Sequence, residues 1–359
     1  MSTPRILIWF WSGGGGGSLF AYNLARRLSV RFGASAVTLS LRADDPTLER
    51  ARDADFQVLA ANIVSDRRKP LTTLSSLTRG ARILADQARN ADLVIVPMNF
   101  ASAAPLSAGL KQPLVYCAHD PEPHPGDYAR MLQRATQAVL LSRARKVMAL
   151  SEYAAGRLRA LGVASHKVEV APLQSVFEPS PSRSKNGNPV QLVLAGRMIA
   201  YKGVDILADA LAPLNTRDDW RLKIAGLGPA LDDRMLARFA HPQIERAERA
   251  WMKDAELEAL IANADVVLAP YRSATQSGVV AQAIARGTPC IVTPVGALGE
   301  QIGKGEAGWI ADRADASAFA AVMSRALDQP GERAEKAAAA LNLAYKAWEH
   351  DHWGWLDHL

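Results

Sequence analysis

Apolar runs of strand length alternate with helix-period stretches along almost the whole chain. Residues 5–11 form the first run, and 36–41, 57–60, 93–96, 114–118 and 147–150 repeat the pattern. Short apolar runs bounded by turn residues read as buried strands, and their alternation with helices predicts a parallel sheet covered on both faces. Residues 177–189 break the rhythm, because this stretch of Pro, Ser, Asn and Gly has no apolar period and reads as a linker. The pattern then restarts with strands at 190–195, 222–225, 266–269 and 290–293 and helices at 204–214, 255–262 and 279–285. Residues 332–359 are Ala-rich and then aromatic, with Trp348, Trp353 and Trp355, and read as a long helical region. Such a tail is expected to pack back across the first domain, since burying one large aromatic contributes roughly 2–3 kcal/mol. The expected organisation is therefore α/β in two domains, 1–176 and 190–331, joined by 177–189, with 332–359 returning to the first.

A chain of 359 residues exceeds one ordinary core, which agrees with two domains. Cys117 and Cys290 lie on apolar runs far apart and suggest neither a disulfide framework nor a zinc site, so a reducing, cytoplasmic setting is expected. The first apolar run meets a glycine run at once, which is not a secretory pattern, and no run of about 18 apolar residues predicts a membrane span. The net charge of +6 is uneven. Residues 1–175 hold 22 Lys+Arg against 13 Asp+Glu, a net of +9, and residues 176–359 hold 20 against 23, a net of −3. The basic half is expected to meet something anionic, such as a membrane leaflet or a phosphate-linked acceptor. No nucleic-acid module accompanies the charge, so nucleic acid is not expected. The basic run 66–69 opens an amphipathic segment with Leu71, Leu74, Leu77, Ala81 and Leu84. Two readings stand: leucines facing the core with solvated basic residues, or docking on the inner face of a membrane.

Candidate chemistry concentrates in four stretches. Thr275-Gln276-Ser277-Gly278 opens a helix at the carboxyl end of a strand, where free backbone N–H groups and a positive dipole end suit a diphosphate. Arg197 and Lys202 flank a turn that begins at Gly196 and leads into another helix, an arrangement able to clamp two phosphates. Gly226 begins a further tight turn on the same edge. In the first half, the glycine loop Ser12 to Gly17, including Gly14 and Gly15, allows close backbone approach to another molecule. It is not a dinucleotide fingerprint, because the run is uninterrupted and no acidic residue closes a second strand. A tight turn or a loop facing the interdomain cleft is read there beside a cofactor-phosphate site. Finally, a strand ends at Ala118 and three prolines hold His119, Asp120, Glu122 and His124 in an extended loop at the sheet's carboxyl edge. The prolines limit convergence on a metal, so these are read as polar cleft residues and no metal site is assigned. Ser151 is the expected N-cap of the next helix.

Taken together, GRMIAYKGVDIL (196–207), IAGLGP (224–229), ELEALIANADVVLAPY (256–271), TQSGVVAQAIARGTP (275–289) and VGALGE (295–300) resemble the GT-B-fold glycosyltransferases, specifically glycosyltransferase family 4. ALSEYAAGRL (149–158) and AHDPEPHPGD (118–127) extend the resemblance into the first half. The resemblance implies two Rossmann-like domains with parallel sheets facing a cleft and a terminal helix crossing back to the first. It also implies a nucleotide-diphosphate sugar, UDP- or GDP-linked, as co-substrate, with retention of configuration and no metal or other cofactor. By position, Arg197 and Lys202 match the pair that neutralises the diphosphate, and Gln276, Ser277 and Gly278 match the loop whose amides meet it. His119 matches a histidine beside the donor sugar, while Asp120 and His124 are assigned to the acceptor side. Where the family commonly has two glutamates with seven residues between them, this chain has Ala274 and Gln282. Gln282 retains hydrogen-bonding capacity toward a ribose, whereas Ala274 removes a carboxylate near where positive charge develops.

The expected reaction is transfer of a sugar to a glycan or lipid-linked glycan in surface polysaccharide or glycolipid assembly, with peripheral membrane contact through the basic domain. Front-face attack is favoured, since no carboxylate is an obvious covalent nucleophile. The alternatives are a sugar-nucleotide 2-epimerase on the same fold and a non-catalytic sugar-nucleotide-binding partner.

Overall fold

The structure, a computed structural model, describes residues 3–63, 70–122, 130–181, 188–248 and 252–359, with the side chains of 70–75 and 246–248 outside that description. His124 and the basic run 66–69 lie outside the described residues. The chain forms two compact units, Met1–Pro172 with Asp351–Leu359, and Leu173–His350.

The first unit is built on a parallel sheet of β1 (Ile6–Phe10), β2 (Val37–Arg42), β3 (Gln57–Ala61), β4 (Leu93–Val96), β5 (Leu114–Ala118), β6 (Lys146–Ala149) and β7 (Val168–Val170), in the order β3-β2-β1-β4-β5-β6-β7. Every residue of β1, β4 and β5 is buried, as a strand covered by helices on both faces requires. The second unit repeats the plan with β8 (Val190–Ala195), β9 (Trp220–Ala225), β10 (Ile244–Glu248), β11 (Val266–Ala269), β12 (Cys290–Val292) and β13 (Gly308–Ile310), in the order β10-β9-β8-β11-β12-β13. All pairings in both sheets are parallel. Two doubly wound α/β units are thus the observed fold class.

β7, β10 and β13 have no counterpart in the hydrophobic pattern. Each lies at the edge of its sheet, with one neighbouring strand, and Val-Glu-Val or Ile-Glu-Arg-Ala-Glu is too polar or too short to register as an apolar run. The helix expected over 204–214 stops at Ala210, followed by a 3-10 turn, Ala212–Leu214, because Pro213 has no N–H to continue the ladder. In the helix Pro70–Ala88, Leu84 is fully buried, so that residue faces the core. No described helix is long and apolar enough to cross a membrane.

The C-terminal region divides differently from the expectation of one helix over 332–359. The helix Pro330–Glu349 belongs to the second unit, where Ala340 and Ala344 are fully buried in its apolar core. His350 is extended, and Asp351–Leu359 joins the first unit. There Trp353 is fully buried, and Arg31 donates to Asp351 at 2.9 Å and Asp357 at 2.7 Å. Upstream, Leu173 and Val176 are buried in the second unit and the Ser180 N–H donates to the Ala285 carbonyl at 2.9 Å, so part of the expected linker is packed.

Cys117 and Cys290 are free and wholly buried, and burial pushes both thiols well above their ordinary range. The native protein is therefore expected to leave both unmodified by a thiol reagent at neutral pH, with two equivalents reacting only after unfolding in guanidinium. Rapid native titration of either would contradict this packing.

Candidate functional site

From β8 the chain of the second unit proceeds outward through β9 and β10, then returns to place β11 on the other side of β8. Strand order reverses between β8 and β11, and because every strand is parallel the following loops emerge at one carboxyl edge. This is where open α/β sheets bind ligands. Gly196 and Gly226 show how tightly those loops lie together: a Cβ on Gly226 would sit 1.8 Å from the Gly196 carbonyl oxygen. The Met198 N–H donates to the Leu227 carbonyl at 2.9 Å, and the Arg272 N–H to the Tyr201 carbonyl at 2.7 Å.

The reversal point is bridged by a side chain. Lys202, on the loop after β8, places its Nζ 3.8 Å from the centroid of Tyr271, on the loop after β11. An ammonium at that distance is attracted by the negative face of the ring. Tyr271 is fully buried, and burial pushes its phenol up to about 12, against a smaller opposing effect of Ser277, so it remains a neutral donor at physiological pH. Its hydroxyl lies 3.1 Å from Ser277 Oγ, and its carbonyl accepts from Thr293 Oγ1 at 2.5 Å. Arg197 is exposed and forms no ion pair with the described residues.

Ser277 is the N-cap of the helix Gly278–Ala285, its Oγ accepting from the Val280 N–H at 3.4 Å. The sequence places the Ser277 N–H among the amides open to a diphosphate, and the structure does not. The Ser277 N–H is not available to a ligand, because it donates to Gln301 Oε1 at 2.8 Å, and Gln301 Nε2 donates back to the Ser277 carbonyl at 3.1 Å. The amides that remain at this helix end are those of Gly278 and Val279, for which no partner exists among the described residues. Gln276 is buried just before them.

Ala274 is buried in the apolar core with Tyr271, Val279 and Val280, so a methyl group sits in a hydrophobic layer at the position of the missing carboxylate. Its carbonyl is backed by Gly296, whose φ is 54° and whose added Cβ would lie 1.7 Å from the Ala274 oxygen. Gln282 is buried on the helix, and its Oε1 has no hydrogen-bond partner among the described residues. A buried amide oxygen without a donor is costly unless something else supplies one.

In the first unit, Gly14 and Gly15 have φ of 65° and 83° and lead into the helix Gly16–Phe32. Buried Asp45 holds this turn, accepting from the Gly14 N–H at 3.3 Å, Ser18 Oγ at 2.6 Å and the Thr47 N–H at 2.9 Å. A carboxylate thus already complements the positive helix end. His119 follows β5 and lies edge-on to Phe20 with ring centroids 6.0 Å apart, its Nδ1 3.5 Å from Asp120 Oδ2. Gln137 Nε2 holds the same loop through the carbonyls of Asp120 and Pro121, both at 2.9 Å. Glu122 is engaged in an ion pair with Arg157. Ser151 caps the helix Glu152–Ala160 as expected, accepting from the Ala154 N–H at 3.0 Å. Among the described residues no group of three His, Cys, Asp or Glu is placed to hold a metal.

Tyr271, Thr293 and Gln301 were not legible as site residues. Tyr271 and Thr293 close apolar strands and look like core, while Gln301 follows Glu300 with no periodicity to mark it.

The family model of the glycosyl transferases group 1 matches residues 189–329, and that of the glycosyl transferase 4-like domain matches residues 15–174. The chain belongs to this glycosyltransferase family. Among curated relatives, it is 29% identical to a D-inositol 3-phosphate glycosyltransferase of Arthrobacter sp. over 67% of this chain and 60% of the relative. It is 30% identical to the MMP alpha-(1->4)-mannosyltransferase of Mycolicibacterium hassiacum over 47% of this chain and 42% of the relative. The chain therefore spans about half the length of the curated relatives it matches. Its fold is similar to that of Anabaena HepE, solved in complex with UDP-glucose, with a TM-score of 0.73, 18% identity and coverage of 99% of this chain and 100% of the other. It is also similar to a structure from Listeria monocytogenes named as a putative UDP-N-acetylglucosamine 2-epimerase, with a TM-score of 0.67, 13% identity and coverage of 97% of this chain and 98% of the other.

Gly296→Ala is expected to destabilise the protein by more than about 2 kcal/mol, since it combines strained φ with a backbone clash. Chemical denaturation checks this, and a wild-type midpoint would contradict the close packing of Gly296 on Ala274.

Proposed function

We propose that the protein is a retaining, metal-independent hexosyltransferase that takes a sugar from a UDP- or GDP-linked donor. The observation that carries this reading is the meeting, at one strand-order reversal, of Lys202 on the Tyr271 face with the Gly278 and Val279 amides at a helix start. A leaving diphosphate needs preorganised charge held where the charge develops, and an ammonium beside oriented amides supplies it. Arg197 adds an exposed guanidinium on the same loop. Gln282, with its unspent Oε1, suits a ribose hydroxyl as donor. The departing phosphate takes the acceptor proton as the acceptor oxygen bonds the sugar carbon on the face that the phosphate leaves. Ala274 offers no carboxylate for a covalent intermediate.

The first unit, with Asp120, is assigned the acceptor side. A glycan or lipid-linked glycan is the acceptor class that its net basic charge favours, with peripheral membrane contact at the cytoplasmic face. Relatives include proteins named for colanic acid biosynthesis, which is in keeping with surface polysaccharide assembly. A 2-epimerase shares the fold, but would consume sugar nucleotide without an acceptor.

Lys202→Ala is expected to lower turnover by about 10²-fold or more with an unchanged unfolding midpoint. Radiolabelled UDP- and GDP-sugars supplied with lipid-linked acceptors provide the assay, and near-normal turnover would remove Lys202 from the diphosphate site. Turnover is also expected to persist in EDTA. Strict dependence on added metal would overturn the metal-independent reading, and sugar-nucleotide conversion without acceptor would favour the epimerase.

A further inference from the structure

We infer that Gln301 is a positioning residue for the phosphate-binding turn, setting which backbone amides reach a diphosphate. The inference rests on the proposed use of that turn for a nucleotide-diphosphate donor. Gln301 ends the short helix Leu298–Gln301, is 2% exposed and lies 24 positions from Ser277 in sequence. Its amide pairs with both polar groups of the Ser277 backbone, accepting the N–H at 2.8 Å and donating to the carbonyl at 3.1 Å. This two-point contact fixes the peptide planes on both sides of Ser277, as a strand partner would, and a single hydrogen bond could not. Only a primary amide at this reach offers one acceptor and two donors on a planar group.

The consequence is specific to the ligand end of the turn. With the Ser277 N–H consumed, the next two amides, Gly278 and Val279, start the helix without internal partners and share its positive end. Ser277 Oγ is held at the same time by the Tyr271 hydroxyl at 3.1 Å, and the Tyr271 ring lies beneath Lys202. Gln301 is thus coupled through Ser277 and Tyr271 to the ammonium without being placed at the ligand itself. The neighbouring segment reinforces the register, since the Ala297 N–H donates to the Thr275 carbonyl at 2.9 Å. If Gln301 is replaced by an apolar side chain, the buried Ser277 N–H loses its partner and either remains unsatisfied or turns toward the ligand position. Either outcome disturbs the amides at 278 and 279 and leaves a nucleoside-binding surface elsewhere on the unit unaltered.

The test compares nucleoside diphosphates with their nucleosides by calorimetry on the full chain, using UDP, GDP and ADP beside uridine, guanosine and adenosine. For the diphosphate that binds the wild type, Gln301→Met is expected to weaken binding about tenfold, with the matching nucleoside changed less than about twofold. Gln301→Asn keeps the site polar but is one methylene shorter, and is expected to show the same selective loss if the methionine variant does not fold. Faster hydrogen exchange confined to residues 275–280 accompanies the loss. Wild-type affinity for the diphosphate in both variants overturns the role of Gln301 alone. Equal loss of diphosphate and nucleoside binding also overturns it, since that is general structural damage. Failure of every diphosphate to bind the wild type overturns the donor-site reading and this inference together.

Discussion

The buried side chain of Tyr271 is the contact on which the second unit's functional edge depends. Its ring carries the ammonium of Lys202, its hydroxyl meets the N-cap serine of the helix Gly278–Ala285, and its carbonyl is tied to Thr293. Three loops, after β8, β11 and β12, therefore converge on one residue. An ammonium drawn to the negative face of a buried ring is held in one place with its positive charge intact. That is the condition a site for a dianionic leaving group requires.

The remainder of the edge is built from backbone. Parallel strands place their carboxyl ends together, and close approaches at Gly226 and Gly296 let the loops stack at distances that any side chain would prohibit. Gln301 then takes up the Ser277 N–H, leaving the first two helical amides as the oriented dipoles. The arrangement is preorganised in the sense that matters for catalysis: dipoles are set by packing and need not reorient as charge develops. The first unit uses a related turn differently. Buried Asp45 already complements the helix that follows Gly14 and Gly15, so its glycines serve chain geometry around a carboxylate.

Most of the fold was legible because buried parallel strands are apolar on both faces and leave a continuous signal, as in β1, β4, β5, β8 and β11. β7 and β13 were illegible because three residues give no periodic run, and β10 because Ile-Glu-Arg-Ala-Glu is mostly polar. The terminal helix was overextended because alanine and tryptophan continue a helical composition through His350, whereas Trp353 and Asp351 are committed to the other unit's core and charges. At the candidate site, Lys202, Gln282 and Gly278 stand out in the sequence by residue type and by their place at a strand-loop-helix junction. Tyr271 and Gln301 do not, because their roles arise from tertiary pairing between residues 6 and 24 positions apart. The amide of Ser277 was misread for the same reason: a helix-start N–H looks free in sequence until a distant glutamine claims it.

The central claim is that the Gly278 and Val279 amides, with Lys202, hold a diphosphate. An amide NMR titration with the nucleoside diphosphate that binds most tightly tests it directly. The expected result is saturable downfield shifts of the Gly278 and Val279 N–H resonances, absent with the matching nucleoside. Diphosphate binding that saturates while both resonances stay at their free positions would contradict the account.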